Sequence, residues 1–167
     1  RVPLQLDIGF GDALVPGASQ SDFPTLLDLP APRLWCYSRE SAIAEKFEAM
    51  VKLGDLNSRM KDFYDIWLLA RQFDFEAATL AEAITQTFQH RGTFLPEQLP
   101  FTEDFAYRKQ TQWQAFHKRL GESHVPAAFA EITAVLSEFL ALPINSTEGL
   151  QQQCWQAPGP WRTKQDG

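Results

Sequence analysis

A chain of 167 residues suits one domain, or one domain and part of another. With 44% hydrophobic and 13% aromatic residues it can bury a core, which excludes global disorder. Its formal net charge of −6 excludes a general nucleic-acid coat, which needs Lys and Arg to neutralise phosphates, but leaves room for a local basic patch or a nucleotide site.

Cys36 and Cys154 are far apart and match no metal-ligand spacing, as expected of a reduced, cytoplasmic protein. No apolar run approaches bilayer length and no signal peptide is visible, so no membrane partner is expected. The first residue is Arg1 and a strand signal follows almost at once, which reads as the later portion of a longer protein.

In chain order, Val2 to Ile8 alternates apolar and polar residues, a strand pattern that ends at Gly9-Phe10-Gly11. Residues 9–24 are rich in Gly, Pro, Ser and Asp and predict a loop. Thr25 to Leu29 and Arg33 to Tyr37 are short strand candidates separated by Pro30 and Pro32, and Cys36 within the second reads as core. From Ser38 the apolar period lengthens to that of a helix, with Ser38 as N-cap, Ile43, Phe47, Met50 and Val51 inward, and Gly54 as C-cap. Residues 54–59 make a turn, and Met60 to Phe73 is a second helix.

Asp74 is the expected cap of a third helix, with Ala77, Leu80, Ala81, Ile84 and Phe88 on one face and Gly92 past its end. Thr102 should cap a fourth, with Phe105, Gln112, Trp113, Phe116 and Leu120 inward and a stop at Gly121. Pro126 fits the first turn of a fifth, with Phe129, Ile132, Leu136, Phe139 and Leu140 inward and Pro143 ending it. Strands followed by helices predict an α+β protein. The expected division is residues 1–37 with the strands, 38–142 as a helical domain and 143–167 as a polar, irregular tail.

Charged residues in the first two helices are the candidates for chemistry. Lys46 lies between Ala44 and Phe47, with Glu45 and Glu48 as local partners. Asp62 and Asp65 share one face of the second helix, where residues three apart are neighbours. Folding back about residues 54–59 brings Lys46 within about one helical turn of Asp65, which makes Asp65 its better partner. A cation facing a carboxylate pair can hold phosphates and a metal. An ordinary interhelical ion pair, with Asp62 and Asp65 favoured by the helix N-terminus, accounts for the same spacing. Arg59 and Lys61 flank the turn and fit either phosphate contacts or solvent. Asp7, on the polar face of the first strand, fits a rigidly aimed metal ligand or a solvated edge. His90, His117 and His124 are scattered, Ser41 and Ser58 have no His–acid context, and no phosphate-loop motif is present.

The segments LDIGFGD at 6–12, YSRESAIAEKFEAMVKLGDLNSRMKDFYDIWLL at 37–69 and WQAFHKRL at 113–120 resemble the AbiEii/AbiGii-type nucleotidyltransferase toxins, the toxin halves of type IV toxin–antitoxin systems. The resemblance spans roughly residues 2–140. It implies the last strands of a nucleotidyltransferase-fold sheet followed by an all-helical C-terminal bundle. It implies transfer of a nucleotidyl group from a nucleoside triphosphate to an acceptor such as a tRNA end or a protein, with Mg²⁺, and a cognate antitoxin as partner. By this likeness Asp7 matches the family's third carboxylate and metal ligand, and Lys46 the lysine of its third motif. Asp62 and Asp65 match its fourth motif, and Lys46, Arg59 and Lys61 would bind nucleotide. The family's Gly-Ser turn and Asp-x-Asp pair occur nowhere in residues 1–167 and are expected upstream, so this chain by itself is expected to be inactive. The competing reading is a non-catalytic helical module that binds an antitoxin, RNA or a protein.

Overall fold

The computed structural model describes residues 13–146 and 148–164. The expected strand from Val2 to Ile8, and Asp7 with it, lie outside the described residues. The architecture is mixed α+β. A two-stranded antiparallel hairpin, β1 (Ser19–Asp22) and β2 (Arg33–Cys36), precedes α1 (Arg39–Leu53), a turn of 3₁₀ helix (Gly54–Leu56) and α2 (Met60–Gln72). Then follow β3 (Phe75–Glu76), α3 (Ala77–Arg91), α4 (Glu103–Leu120), α5 (Phe129–Asn145), β4 (Gln153–Trp155) and β5 (Trp161–Thr163).

The helices start and stop where local chemistry dictates. The Ser38 hydroxyl accepts from the Ser41 N–H at α1, and the Thr102 hydroxyl accepts from the Phe105 N–H at α4. Gly54, Gly92 and Gly121 close α1, α3 and α4 with positive φ, a conformation that glycine adopts without a Cβ clash. α1 lies against α3, while α5 packs against α2, α3 and α4. Phe47, Phe63, Phe88, Trp113, Phe129 and Phe139 are fully buried among them. The inward stripe read for α5 is buried throughout.

Several expectations are corrected. Thr25 to Leu29 is not a strand: the Thr25 hydroxyl donates to the carbonyls of Leu27 and Leu29, at 2.8 and 3.1 Å, which ties the segment into a loop. The partner of β2 is instead Ser19–Asp22, a wholly exposed polar strand with no apolar alternation to betray it. Cys36 is not core, because the hairpin projects into solvent with Trp35 exposed. Asp74 does not cap α3; the chain first forms β3, and Asp74 accepts from the Ala157 N–H at 2.8 Å. In α4 the inward position is Lys109 rather than Gln112, its stem buried and its Nζ donating to the Asp55 carbonyl at 2.6 Å. Pro126 precedes α5, and its carbonyl accepts from Trp113 Nε1 at 3.0 Å.

Pro143 does not end α5, which runs on to Asn145. The tail is not irregular over its described length. β4 pairs with β3 and β5, and Trp155 is fully buried with Nε1 donating to the Ala70 carbonyl at 2.6 Å. That carbonyl belongs to the last turn of α2, where helical N–H partners run out.

Candidate functional site: a lysine between two helical carboxylates

α1 and α2 fold back about the Gly54–Asn57 turn. This turn is fixed from inside by buried Asn57, whose Oδ1 accepts from the Arg59 N–H at 2.8 Å. It is fixed from outside by Arg108, paired with Asp55 at 2.7 Å, and by Lys109. Trp67 and Phe63 face the core, so Asp62 and Asp65 project from the flank of α2 toward α1.

Lys46 Nζ lies 2.8 Å from Asp65 Oδ2 and 3.2 Å from Asp62 Oδ1. The facing geometry expected for Lys46 and Asp65 is thus present, and Asp62 shares the ammonium. Lys61 Nζ donates to both Asp65 oxygens at 2.7 and 2.9 Å, and Arg59 Nη1 stands 3.7 Å from Asp62 Oδ2. Burial of Lys46 lowers its pKa, but Asp65 and Asp62 more than offset that, and the net shift is upward. Lys46 is therefore a fixed cation. Nearby, the Tyr64 phenol is pushed up by burial, Glu122 and Asp65.

Glu45 and Glu48 do not pair with Lys46 as expected. They reach Arg91 at the end of α3, with Nη2 3.5 Å from Glu45 Oε1 and Nη1 3.1 Å from Glu48 Oε2. A cavity of about 340 Å³ opens between these groups, lined by Glu45, Lys46, Ala49, Arg59, Asp62 and Arg91. Arg59 also lines a neighbouring cavity of about 420 Å³ with Lys61, Phe116 and Arg119. Lys46, Asp62 and Arg59 thus meet at one cavity, while Lys61 and Arg59 border the next. Arg91 was missed because a basic residue in a helix's last turn is explained by the helix dipole alone.

Among the described residues no group of three or more His, Cys, Asp or Glu is placed to hold a metal ion. The carboxylates of Asp62 and Asp65 are occupied by ammonium and guanidinium groups, so they do not by themselves fit a divalent cation. Asp7, the expected metal ligand, is outside the described residues. His124 stacks on Trp67 and His117 meets the Val125 carbonyl, both structural placements. No helix among the described residues is long and apolar enough to cross a membrane.

Compared with known proteins, residues 1–135 match the family model described as nucleotidyl transferase AbiEii toxin, type IV toxin–antitoxin system. No individual curated protein and no solved structure matches the chain. The match covers most of the sequence, including both helices that carry the lysine and the carboxylates: the chain belongs to the AbiEii family of nucleotidyl transferase toxins.

Proposed function

We propose that this chain carries part of the nucleotide site of a toxin that transfers a nucleotidyl group from a nucleoside triphosphate to a tRNA end. One observation carries the reading: Lys46 is held between Asp62 and Asp65 at the wall of a polar cavity, in a member of this family. In the transfer an acceptor oxygen attacks the α-phosphorus, the bond to the β-phosphate bridging oxygen breaks, pyrophosphate leaves, and the acceptor's proton passes to solvent. Lys46 stabilises the negative charge that builds on the phosphates. Asp62 and Asp65 keep its ammonium aimed and protonated. Arg59, between the two cavities, would bridge nucleotide and acceptor, and the cationic rim of Lys61 and Arg119 beside Phe116 suits the phosphates and a base of a nucleic-acid end. Mg²⁺ is the cofactor that the resemblance implies, with Asp7 its candidate ligand in this sequence; the roles of Lys46, Asp62 and Asp65 do not pass through it.

The experiment pairs a growth assay of the full-length protein, antitoxin withheld, with transfer of label from each nucleoside triphosphate. Lys46→Ala and Asp65→Ala should abolish toxicity and slow transfer on the order of 10²–10³-fold. A merely structural ion pair contributes about 0–1 kcal/mol, and variants that fold and transfer at the wild-type rate would refute the assignment. A second reading, a non-catalytic module binding an antitoxin, RNA or a protein, draws on the exposed Phe23, Leu26, Leu27 and Trp35 around the hairpin. Toxicity that survives Lys46→Ala but is lost on replacing those apolar residues would favour it.

A further inference from the structure

The cavity beside Lys46 has a half-buried cation on a third helix. Arg91 is the last residue of α3, and Gly92, at φ 63°, turns the chain away from it. Its guanidinium reaches α1 and meets two carboxylates of unequal standing. Glu48 is buried and is held from a second side by the Thr93 hydroxyl, which donates to Oε1 at 2.5 Å. It is a fixed anchor, 3.1 Å from Arg91 Nη1. The Glu45 contact is longer, 3.5 Å, and Glu45 lies on the cavity wall where Glu48 does not.

The composition of that wall indicates what it takes. Among the described residues it is lined by three cations, Lys46, Arg59 and Arg91, and two carboxylates, Glu45 and Asp62, with Ala49 the one apolar side chain. Its three cations offer donors for charged oxygens, two of which are at present supplied by Glu45 and Asp62. A guanidinium is a planar fork of donors that matches carboxylate and phosphate alike. Glu45 therefore occupies, against Arg91, the kind of position that a phosphate oxygen would take.

We propose that Arg91 is a second phosphate-binding residue of the Lys46 site, and that it engages the nucleotide's polyphosphate by giving up Glu45 while Glu48 keeps it in place. The inference rests on the nucleotide reading of that site. Glu45 is then an internal competitor: it holds Arg91 in the unliganded protein and weakens polyphosphate binding. Arg91 sits in none of the segments that carry the family resemblance.

The test is a titration of the full-length protein with nucleoside tri- and monophosphates and with inorganic tripolyphosphate, alongside thermal denaturation. Arg91→Gln should weaken triphosphate and tripolyphosphate binding about 10–100-fold, with a much smaller effect on the monophosphate. Arg91→Lys should recover part of the loss. Glu45→Gln, which leaves the Glu48 anchor intact, should tighten tripolyphosphate binding several-fold. A lowered melting temperature for Arg91→Gln with unchanged affinities would make Arg91 purely structural and overturn the proposal. Should Arg91→Gln fail to fold, Glu45→Gln decides, and unchanged or weaker binding overturns it. Lys46→Ala separates the two failures. If it loses triphosphate binding while the Arg91 and Glu45 variants bind as wild type, the nucleotide site stands and this inference falls. If it binds like wild type, or the wild type does not bind, the nucleotide reading fails and this inference with it.

Discussion

Trp161 Nε1 donates at 3.0 Å to the carbonyl of Phe139, the helical acceptor that Pro143, four residues on, cannot serve. The two rings also stack, with centroids 5.8 Å apart and planes 4° from parallel. The proline is thus accommodated inside α5 because a side chain from β5 replaces the missing N–H.

Trp161→Phe keeps a ring on Phe139 and removes the donor. It should cost about 1–3 kcal/mol, the penalty for leaving a buried acceptor unserved. In a Pro143→Ala background the backbone supplies its own N–H, and most of that cost should disappear. Urea denaturation of the four proteins in this cycle measures the coupling; equal losses in both backgrounds would show that the indole is not compensating for the proline.

Trp155 is the larger structural commitment of the C-terminal segment. It is fully buried, packs edge-on against Phe139 at 5.0 Å, and serves the Ala70 carbonyl. Trp155→Ala should cost about 3–5 kcal/mol. Trp155→Phe, which mainly orphans the carbonyl, should cost about 1–3 kcal/mol. Equilibrium unfolding followed by circular dichroism gives both, and a near-neutral alanine variant would mean that the β4–β5 strand pair is not part of the cooperative unit.

The two carboxylates that share Lys46 are not equivalent. Asp65 is closer, at 2.8 against 3.2 Å, and also takes both contacts from Lys61. Asp65→Asn should therefore lower kcat/KM for transfer more than Asp62→Asn does, by roughly tenfold, about 1.4 kcal/mol in the barrier. Steady-state kinetics on the full-length protein checks the order, and a greater loss at Asp62 would reverse it.

The upward shift of the Lys46 pKa fixes the direction of a pH effect. The folded protein holds that proton more tightly than the unfolded chain does. The resulting stabilisation is complete below the unfolded lysine value of roughly 10.4 and fades as pH rises through the higher folded value. Lys46→Met should therefore differ from wild type by a constant amount from about pH 6 to 9, and the gap should narrow only above roughly pH 10. Denaturant midpoints across that range test this; a gap that closes near neutrality would mean that Lys46 is not the titrating partner.

Caps, glycines and apolar stripes made the five helices legible, because each signal lies within a few residues of the structure it specifies. Ser38, Thr102, Gly54, Gly92 and Gly121 are all of this kind. The C-terminal sheet was illegible because its meaning lies far away: the Trp155–Ala70 bond joins residues 85 apart, and two tryptophans in a Gln- and Pro-rich stretch show no period. β1 was hidden by being polar on both faces. In the site, Lys46, Asp62 and Asp65 could be read because adjacent helices fold back about a short turn. Arg91 could not, since it reaches Glu48 across 43 residues from the next helix but one.

Around the Lys46 cavity, the cations Lys46, Arg59, Lys61 and Arg91 are each matched to one or more of Glu45, Glu48, Asp62 and Asp65, four formal charges of each sign. Among the described residues the cluster carries equal numbers of positive and negative side chains, and such pairing makes it a poor trap for stray anions. Any polyphosphate that enters must exchange partners rather than fill a vacant positive hole, and it leaves surplus negative charge behind unless it arrives with its own counter-cation. Selectivity at such a site comes from the company a phosphate brings as much as from the phosphate itself.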